Sequence, residues 1–357
     1  MRSAWSTVSR TTPCTICGKS DWCTVSADGA WALCRRVENG TGLHRLDKTG
    51  ADYWLYRLDE HVPYRPSTSE PPSQSRVERA DPRTLDRVYR ALLAVLPLTS
   101  AHRQALRRRG LLDTEIMRRG YRTMPLEGRA ALVRGIVDRL GVDTCTGIPG
   151  LYGDAQGTRR LWTLAGAVGL LIPVRDVNGR IVALQIRSDD PGQRSKYTWL
   201  SSAKHNGPGP GTPAHRPLYT GPHGDTVRVT EGPLKADITT VLGGVLTIAV
   251  PGVPLWRQAL PLLEVLQPTR VLLAFDSDWR QNPSVARALA QATQALVETG
   301  YTVGVEIWDA SQGKGIDDVL AAGYTPTLQS IVPWLHRART LPEKSGGRPS
   351  HIVVEVR

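Results

Sequence analysis

The sequence predicts a multidomain protein of the α/β class, and three observations carry that prediction. Apolar β-branched runs alternate with helical patterns over residues 227–308, the signature of a parallel sheet joined by right-handed crossovers. Four of the five cysteines fall within residues 14–34, far ahead of that stretch, so a separate small module precedes it. Between the two, Asn178-Gly179 separates two apolar, strand-like segments, the strongest short hairpin signal. At 357 residues the chain has room for two or three domains.

In the alternating region, residues 227–231 read as a short strand that closes on Glu231 and is followed by Gly232. Residues 233–242 read as a helix with Pro233 in its first turn, where a missing N–H is harmless. Residues 245–250 are a buried strand, residues 254–266 are helical, and residues 270–275 are a second buried strand running into Asp276-Ser277-Asp278. An Ala-rich helix at 284–299 stops at Gly300, and a last strand at 301–308 ends at Asp309. In open α/β sheets ligands bind outside the carboxyl ends of the strands, where Glu231, Asp276, Asp278 and Asp309 fall. Asp317 and Asp318 follow one loop later. Carboxylates gathered on one edge repel, and a divalent cation resolves the repulsion. All-oxygen ligands favour Mg²⁺ or Mn²⁺ over zinc. Asp309 alone reads as a solvated loop acid, whereas Glu231, Asp276 and Asp278 directly follow buried strands.

At the other end, Cys14-Thr15-Ile16-Cys17-Gly18 is a C-x₂-C-G knuckle. Cys23 and Cys34 flank a hairpin turn signal at Asp28-Gly29. Two cysteines on a knuckle and two beside a hairpin can enclose one tetrahedral Zn²⁺, and so short a segment needs such a staple to fold. Cys23 is the most economical fourth ligand and His44 is the alternative. Arg35, Arg36, Trp22 and Trp31 suit DNA backbone and base-stacking contacts; equally, the tryptophans suit packing within the module. Residues 53–57 read as its last strand. The Pro-, Ser- and Glu-rich stretch that follows reads as a flexible linker.

From Asp81 onward, Leu85, Val88, Tyr89, Leu92 and Leu93 recur at helical spacing. A second helix spans 99–109, with Ser100 as its cap and Gly110 as its stop, and a third carries Leu112, Ile116 and Met117. Arg107-Arg108-Arg109 reads as a solvated helix face, with a nucleic-acid surface as the minority reading. The Gly- and Pro-rich stretch 203–223 reads as a loop between two halves of the core. It lacks the G-x₄-G-K-[ST] order of a phosphate-binding loop, as does the rest of the chain. Residues 331–338 complete an amphipathic helix containing Trp334, and nothing assigns a function to the residues beyond 343.

The net charge is +12 and the pI near 9.8. A basic chain with an acidic cluster on one sheet edge points to a polyanion handled with metal ions. No stretch approaches eighteen consecutive apolar residues, and the first residues lack a signal-peptide core. The expectation is a cytoplasmic protein with no membrane partner, whose cysteines bind metal rather than form disulfides.

The acids and their order resemble a Toprim domain, the fold shared by DnaG-type primases, type IA and type II topoisomerases and some nucleases. The matching motifs are Thr230-Glu231-Gly232, Phe275-Asp276-Ser277-Asp278 and Gly313-Lys314-Gly315-Ile316-Asp317-Asp318. The resemblance implies a Rossmann-like parallel sheet with flanking helices. Glu231 is then the acid/base or metal-linked glutamate, and Asp276 and Asp278 are the metal-binding pair. Primases carry two acids flanking a proline in the third motif. Here Gly315 stands at the first acid position, Asp317 matches the second, and Asp318 stands beside it.

The resemblance to DnaG-type primases extends upstream. His102 to Leu106, Arg109-Gly110-Leu111, Ile116 and Gly120-Tyr121 are similar to the helical start of the primase core. Residues 169–176 and 179–183 resemble its "IPIRD–GR" hairpin, leading through Arg187 to Lys196-Tyr197 and then to Leu218-Tyr219 before the first Toprim strand. On that basis residues 1–62 are a zinc-ribbon DNA-binding domain, 63–80 a linker and 81–222 a basic α+β N-terminal subdomain of the primase core. Residues 223–340 are the Toprim catalytic domain and 341–357 a tail. Arg175, Arg187 and Lys196 line a groove for template and nucleotides, the guanidinium by paired hydrogen bonds and the lysine as a point charge; each also reads as a hairpin surface charge. Lys235 meets a phosphate or neutralises the acid edge.

The implied activity is that of a DNA primase of plasmid, phage or mobile-element type, joining ribonucleotides on single-stranded DNA. It would use two Mg²⁺ or Mn²⁺ ions held by Glu231, Asp276, Asp278, Asp317 and Asp318, with a separate replicative helicase as partner. The alternatives are a Toprim-type metal-dependent nuclease and a non-catalytic DNA-binding replication accessory protein. A type IA topoisomerase needs a larger gated fold than this length allows.

Overall fold

The computed structural model describes residues 5–20, 22–37, 42–47, 52–59, 77–156, 159–190, 195–221 and 224–339. Most of the expected linker and all of the tail at 341–357 lie outside these residues. Within them the protein is a mixed α/β structure carrying four sheets. No helix among the described residues is long and apolar enough to cross a membrane.

The N-terminal sheet is formed by β1 (Trp5–Thr7), β2 (Thr24–Ser26), β3 (Trp31–Cys34), β4 (Leu43–Leu46) and β5 (Asp52–Arg57), antiparallel in the order β1-β2-β3-β5-β4. Asp28-Gly29 makes the β2–β3 turn. Gly29 takes φ +70° and its N–H bonds to Ser26 O at 2.9 Å, while the Asp28 carboxylate accepts from the Ala30 N–H at 3.0 Å. Trp31 and Trp54 are buried and pack the module, whereas Trp22 is 54% exposed.

The middle of the chain opens on α1 (Pro82–Val95), where Asp81 accepts from the Arg83 and Thr84 N–H groups and Pro82 takes the first helical position. Thr99 caps α2 (Ser100–Arg108), accepting from the His102 N–H, whereas Ser100 already lies inside the first turn. Next, α3 (Asp113–Arg119) stops at Gly120 in the left-handed region. The following elements carry no pattern that the sequence announces: β6 (Arg122–Met124), α4 (Arg129–Leu140), α5 (Val142–Cys145) and a hairpin of β7 (Leu151–Gln156) and β8 (Arg159–Leu164). With β6, the strands β9 (Gly169–Arg175), β10 (Ile181–Ser188) and β11 (Tyr197–Trp199) complete an antiparallel sheet in the order β11-β10-β9-β6. At the β9–β10 turn Gly179 takes φ +77°, and the Asp176 carboxylate accepts from the Asn178 and Arg180 N–H groups, both at 2.9 Å.

The last sheet contains β12 (Thr226–Glu231), α6 (Pro233–Gly243), β13 (Thr247–Val250), α7 (Leu260–Leu266), β14 (Arg270–Leu273), α8 (Pro283–Glu298), β15 (Thr302–Ile307), α9 (Ile316–Ala321), β16 (Thr327–Gln329) and α10 (Val332–Arg339). Its order is β13-β12-β14-β15-β16, with the first four strands parallel and β16 antiparallel. Strand alternation sorts the residues. Val227, Val229, Val271, Leu273, Val303 and Val305 pack with Trp256, Leu263, Ala286 and Leu289 on one face. The other face carries Arg228, Thr230, Ala274 and Glu306 toward α6 and α9. His215, in the Gly- and Pro-rich connector, pairs with Ala249 of β13 at the sheet's edge. Helix α6 is buried nearly all round, because Leu234 and Ile238 pack against Leu106, Ile116, Leu170 and Ile172 of the middle region. It is therefore shared between the last two large sheets.

Arg228 reaches across β14 to Glu306 on β15, with Nε–Oε2 at 2.6 Å and Nη2–Oε1 at 2.9 Å, and both side chains are buried. Removing one member strands the other charge, so Glu306→Ala should lower unfolding stability by about 3–5 kcal/mol. Replacing both residues with leucine should recover most of that loss in urea denaturation, because an apolar pair removes the desolvation cost as well.

Candidate active site

The strand order of the last sheet reverses between β12 and β14. In open α/β sheets the ligand crevice lies at such a point, outside the carboxyl ends. Glu231 is the final residue of β12, and Gly232 at φ +83° turns the chain into α6. Asp276 follows β14, and Thr230 Oγ1 donates to Ala274 O at 2.8 Å, tying the two strand ends together. Asp317 stands in the first turn of α9. The Ser277 N–H to Lys314 O bond at 3.1 Å holds that loop against the Asp276 segment. Asp276 is 8% exposed and Asp317 1%.

Lys235, on the first turn of α6, projects into this group. Its ammonium donates to Asp276 Oδ1 and stands 3.5 Å from Glu231 Oε1. Burial opposes its charge, but Glu231, Asp276 and Asp317 outweigh burial and hold its pKa above the ordinary lysine range. The converse holds for Asp276: burial pushes its pKa up, and the charges of Lys235 and Lys314 pull it below the usual carboxylate value. Asp317 accepts from Arg109, at the end of α2, through Oδ2, while its buried Oδ1 has no hydrogen-bond partner among the described residues.

Gly315 sits in the middle of the group. A Cβ there would lie 2.7 Å from Asp317 Oδ1, 2.9 Å from Lys235 Cε and 3.1 Å from Asp276 Oδ1. The missing side chain is what lets the lysine and two carboxylates close on one another. Asp318 is exposed at the rim and accepts from the Gly315 N–H at 3.3 Å. Asp278 lies in the short 3₁₀ turn at Ser277–Arg280, and its side chain is outside the described set. Asp309 faces solvent and caps its own turn through Ser311.

Glu231, Asp276, Asp317 and Asp318 line a cleft of about 470 Å³ whose other lining residues include Arg109, Gln185, Lys196, Tyr197 and Trp199, with Trp22 of the N-terminal module. Gln185 pairs with Trp199 and Arg187 with Tyr197 across β10 and β11, so all four share one sheet face. Lys196 is exposed, with its ammonium 5.7 Å from the Tyr197 ring centre. Arg187, half-buried on that same face, is not among the residues that line the cleft. Arg36 lies over the Trp22 ring at 5.5 Å, and Trp22 itself holds φ +65°, a backbone state that a tryptophan rarely adopts.

Arg175, expected in the groove, is instead buried at 4% exposure. Its Nη2 donates to Arg119 O at 3.0 Å and its backbone N–H to His215 Nδ1 at 2.9 Å. It belongs to a polar group around Asp237 of α6. Asp237 accepts from Tyr121 OH at 2.6 Å, with His215 Nε2 at 3.4 Å and Arg119 Nε at 3.5 Å. A hairpin arginine escapes the surface here because both faces of β9 are covered, Leu171 packing within the middle region and Leu170 and Ile172 against α6. Sequence reasoning missed Asp237 and the Arg109–Asp317 pair. A lone acid inside the apolar helix 233–242 was the available signal, since a buried charge demands partners.

The four thiols of Cys14, Cys17, Cys23 and Cys34 lie within 4.8 Å of one another. The Cys17–Cys23 and Cys23–Cys34 sulfurs are 3.7 and 3.9 Å apart, close to the roughly 3.8 Å edge of a tetrahedron of Zn–S bonds. The Arg36 and Val37 N–H groups point at Cys34 Sγ at 3.5 and 3.4 Å, a second layer suited to thiolate. The cluster can hold zinc. His44 is not part of it: Nε2 sits 2.8 Å from Asp52 Oδ1, and the ring tilts against Trp54. Cys145, the fifth cysteine, is buried in the middle core.

Residues 223–325 match a family described as a domain of unknown function (DUF3854). No curated protein matches the chain by sequence. By structure it is similar to the zinc-binding and RNA polymerase domains of the Aquifex aeolicus primase, with TM-score 0.49 and 14% identity over 70% of this chain and 63% of that one. It is also similar to a DNA primase domain from Pseudomonas aeruginosa, with TM-score 0.48 and 16% identity over 72% and 78%. A third is the RNA polymerase domain of Mycobacterium tuberculosis DnaG, with TM-score 0.46 and 16% identity over 67% and 79%. The chain thus spans less than two thirds of the Aquifex aeolicus structure.

Two outcomes follow from this geometry. Elemental analysis should find one zinc per chain, lost in Cys23→Ser and retained in His44→Ala. Stability should fall on acidification in two stages. Burial depresses the His215 pKa below its ordinary 6.5, so the neutral ring's contribution is complete above 6.5 and drains below it. Burial acts to raise the Asp237 pKa, but Arg119, His215 and Tyr121 hold it below 3.8, so its contribution is complete above 3.8 and is lost as pH falls through the lower folded value. Denaturant midpoints across pH should show both stages, and Asp237→Asn should flatten the lower one.

Proposed function

We propose that the chain is a primase-type nucleotidyltransferase that joins ribonucleotides on a single-stranded DNA template. In this reading residues 223–340 form a Toprim catalytic domain, residues 81–222 the basic wall of the template groove, and residues 1–62 a zinc ribbon that contacts the template. The observation that carries it is one cleft with Glu231, Asp276 and Asp317 on one side and Arg109, Lys196, Tyr197 and Trp199 on the other. Carboxylates suit metal-assisted phosphoryl chemistry, and cations with aromatic rings suit a polynucleotide.

The donor set fits a hard cation: every candidate ligand is a carboxylate, and the buried Asp317 Oδ1 is without a partner among the described residues. Glu231, Asp276, Asp278 and Asp317 would hold Mg²⁺ or Mn²⁺, with Asp318 at the rim. The chemistry a bound ion supplies is activation of the attacking 3′-hydroxyl and charge neutralisation at the leaving pyrophosphate. Lys196 draws the template backbone or a triphosphate into the cleft, Trp22 and Trp199 offer faces on which bases stack, and Arg109 fixes Asp317. The substrates are ribonucleoside triphosphates, and a separate replicative helicase supplies the exposed template.

The test is primer synthesis on single-stranded DNA with labelled ribonucleotides and Mg²⁺ or Mn²⁺. Short products should form, and Asp276→Asn should reduce them by more than about 100-fold. Lys196→Ala should weaken DNA binding across sequences and lower the salt dependence by about one unit. Labelled DNA shortened instead of copied would sink the reading in favour of a nuclease.

A further inference from the structure

The acids of the cleft are already matched by cations of the chain itself. Asp317 faces Arg109, Asp276 faces Lys235 and, at 3.6 Å, Lys314, and Glu231 faces Lys235. Two of these cations stand at the margin, since Lys314 is 68% exposed and Arg109 29%. Lys235 does not. Its side chain is 14% exposed, and its stem fills the space that Gly315 leaves beside Asp276 and Asp317. Its ammonium is held by the charges of Glu231, Asp276 and Asp317 together. An ammonium surrounded by three carboxylates performs the electrostatic work of a bound cation, and it repels a divalent ion placed next to it. Among the described residues the buried Asp317 Oδ1 remains open.

We propose that the Lys235 ammonium permanently occupies one of the two cation positions of this acidic cluster, so that the site takes a single divalent ion. Gly315 is the companion of that arrangement, since a side chain there would collide with the Lys235 stem. The inference rests on the proposed metal-dependent reading of the cleft and sharpens it. The chain carries one cation of the pair in its own sequence and recruits the other from solution.

The experiment counts Mn²⁺ bound to the full, zinc-loaded chain by electron paramagnetic resonance, with zinc content measured in parallel. The wild type should bind one Mn²⁺ with an uncoupled spectrum, and Asp276→Asn should weaken that ion by about tenfold or more. Lys235→Met keeps the stem and removes the charge. It should admit a second Mn²⁺, seen as a spin-coupled pair, or tighten the first by about tenfold. Lys235→Arg, which keeps the charge, should still bind one. Two coupled ions in the wild type would overturn the inference and leave the proposed function standing. A Lys235→Met protein indistinguishable from wild type in count and affinity would overturn it as well. No ion at all, or one indifferent to Asp276→Asn, would overturn both this inference and the metal-dependent reading beneath it. Because the wild-type count needs no variant, the test survives a Lys235→Met protein that fails to fold.

Discussion

The buried carboxylate of Asp237 is the contact on which the rest of the molecule depends. It lies on a helix enclosed by two sheets, and its partners Arg119, Tyr121 and His215 come from the middle of the chain. A charge this deep is tolerated only when its oxygens are fully engaged, so the middle region must dock on α6 in one register. That docking brings β10 and β11 over the carboxyl ends of β12 and β14. Two residues before Asp237, on the other side of the same helix, Lys235 points into the acidic cluster. One helix therefore fixes the two halves with one charge and organises the cleft between them with the opposite charge.

The cleft follows from competing electrostatic demands. Topology delivers Glu231, Asp276 and Asp317 to one place, where their repulsion must be answered. Lys235 answers it from within, Arg109 and Lys314 from the rim. The opposing wall is neutral to basic and aromatic. The net effect is a negative floor under a positive roof that carries aromatic rings.

Much of this was legible in the sequence, and where it was, the signal was local. The acids follow their strands directly, so alternation of strand and helix was enough to put Glu231 and Asp276 on one edge. The Cys14–Cys17 knuckle and the Asp28-Gly29 turn are short-range features, and they bring four thiols together. What escaped depends on tertiary covering. Arg175 looks like a hairpin surface charge until both faces of β9 are seen to be buried. Arg109 and Asp317 are 208 residues apart, and nothing near either announces the other. Cys23 stood ahead of His44 on chain economy alone, and the fold agrees, turning His44 to Asp52 rather than to the cluster. Gly315 looked like a lost acid by comparison with a family pattern; in space it is a vacancy filled by a neighbour's side chain.

That filled vacancy links two positions through evolution. Residues 235 and 315 compete for one volume beside Asp276 and Asp317, so a side chain at 315 is a collision while a long one remains at 235, and a short one at 235 leaves a void while 315 stays glycine. Neither can drift alone. Across descendants of this sequence glycine at 315 should persist wherever a long cation stands at 235 beside the two acids.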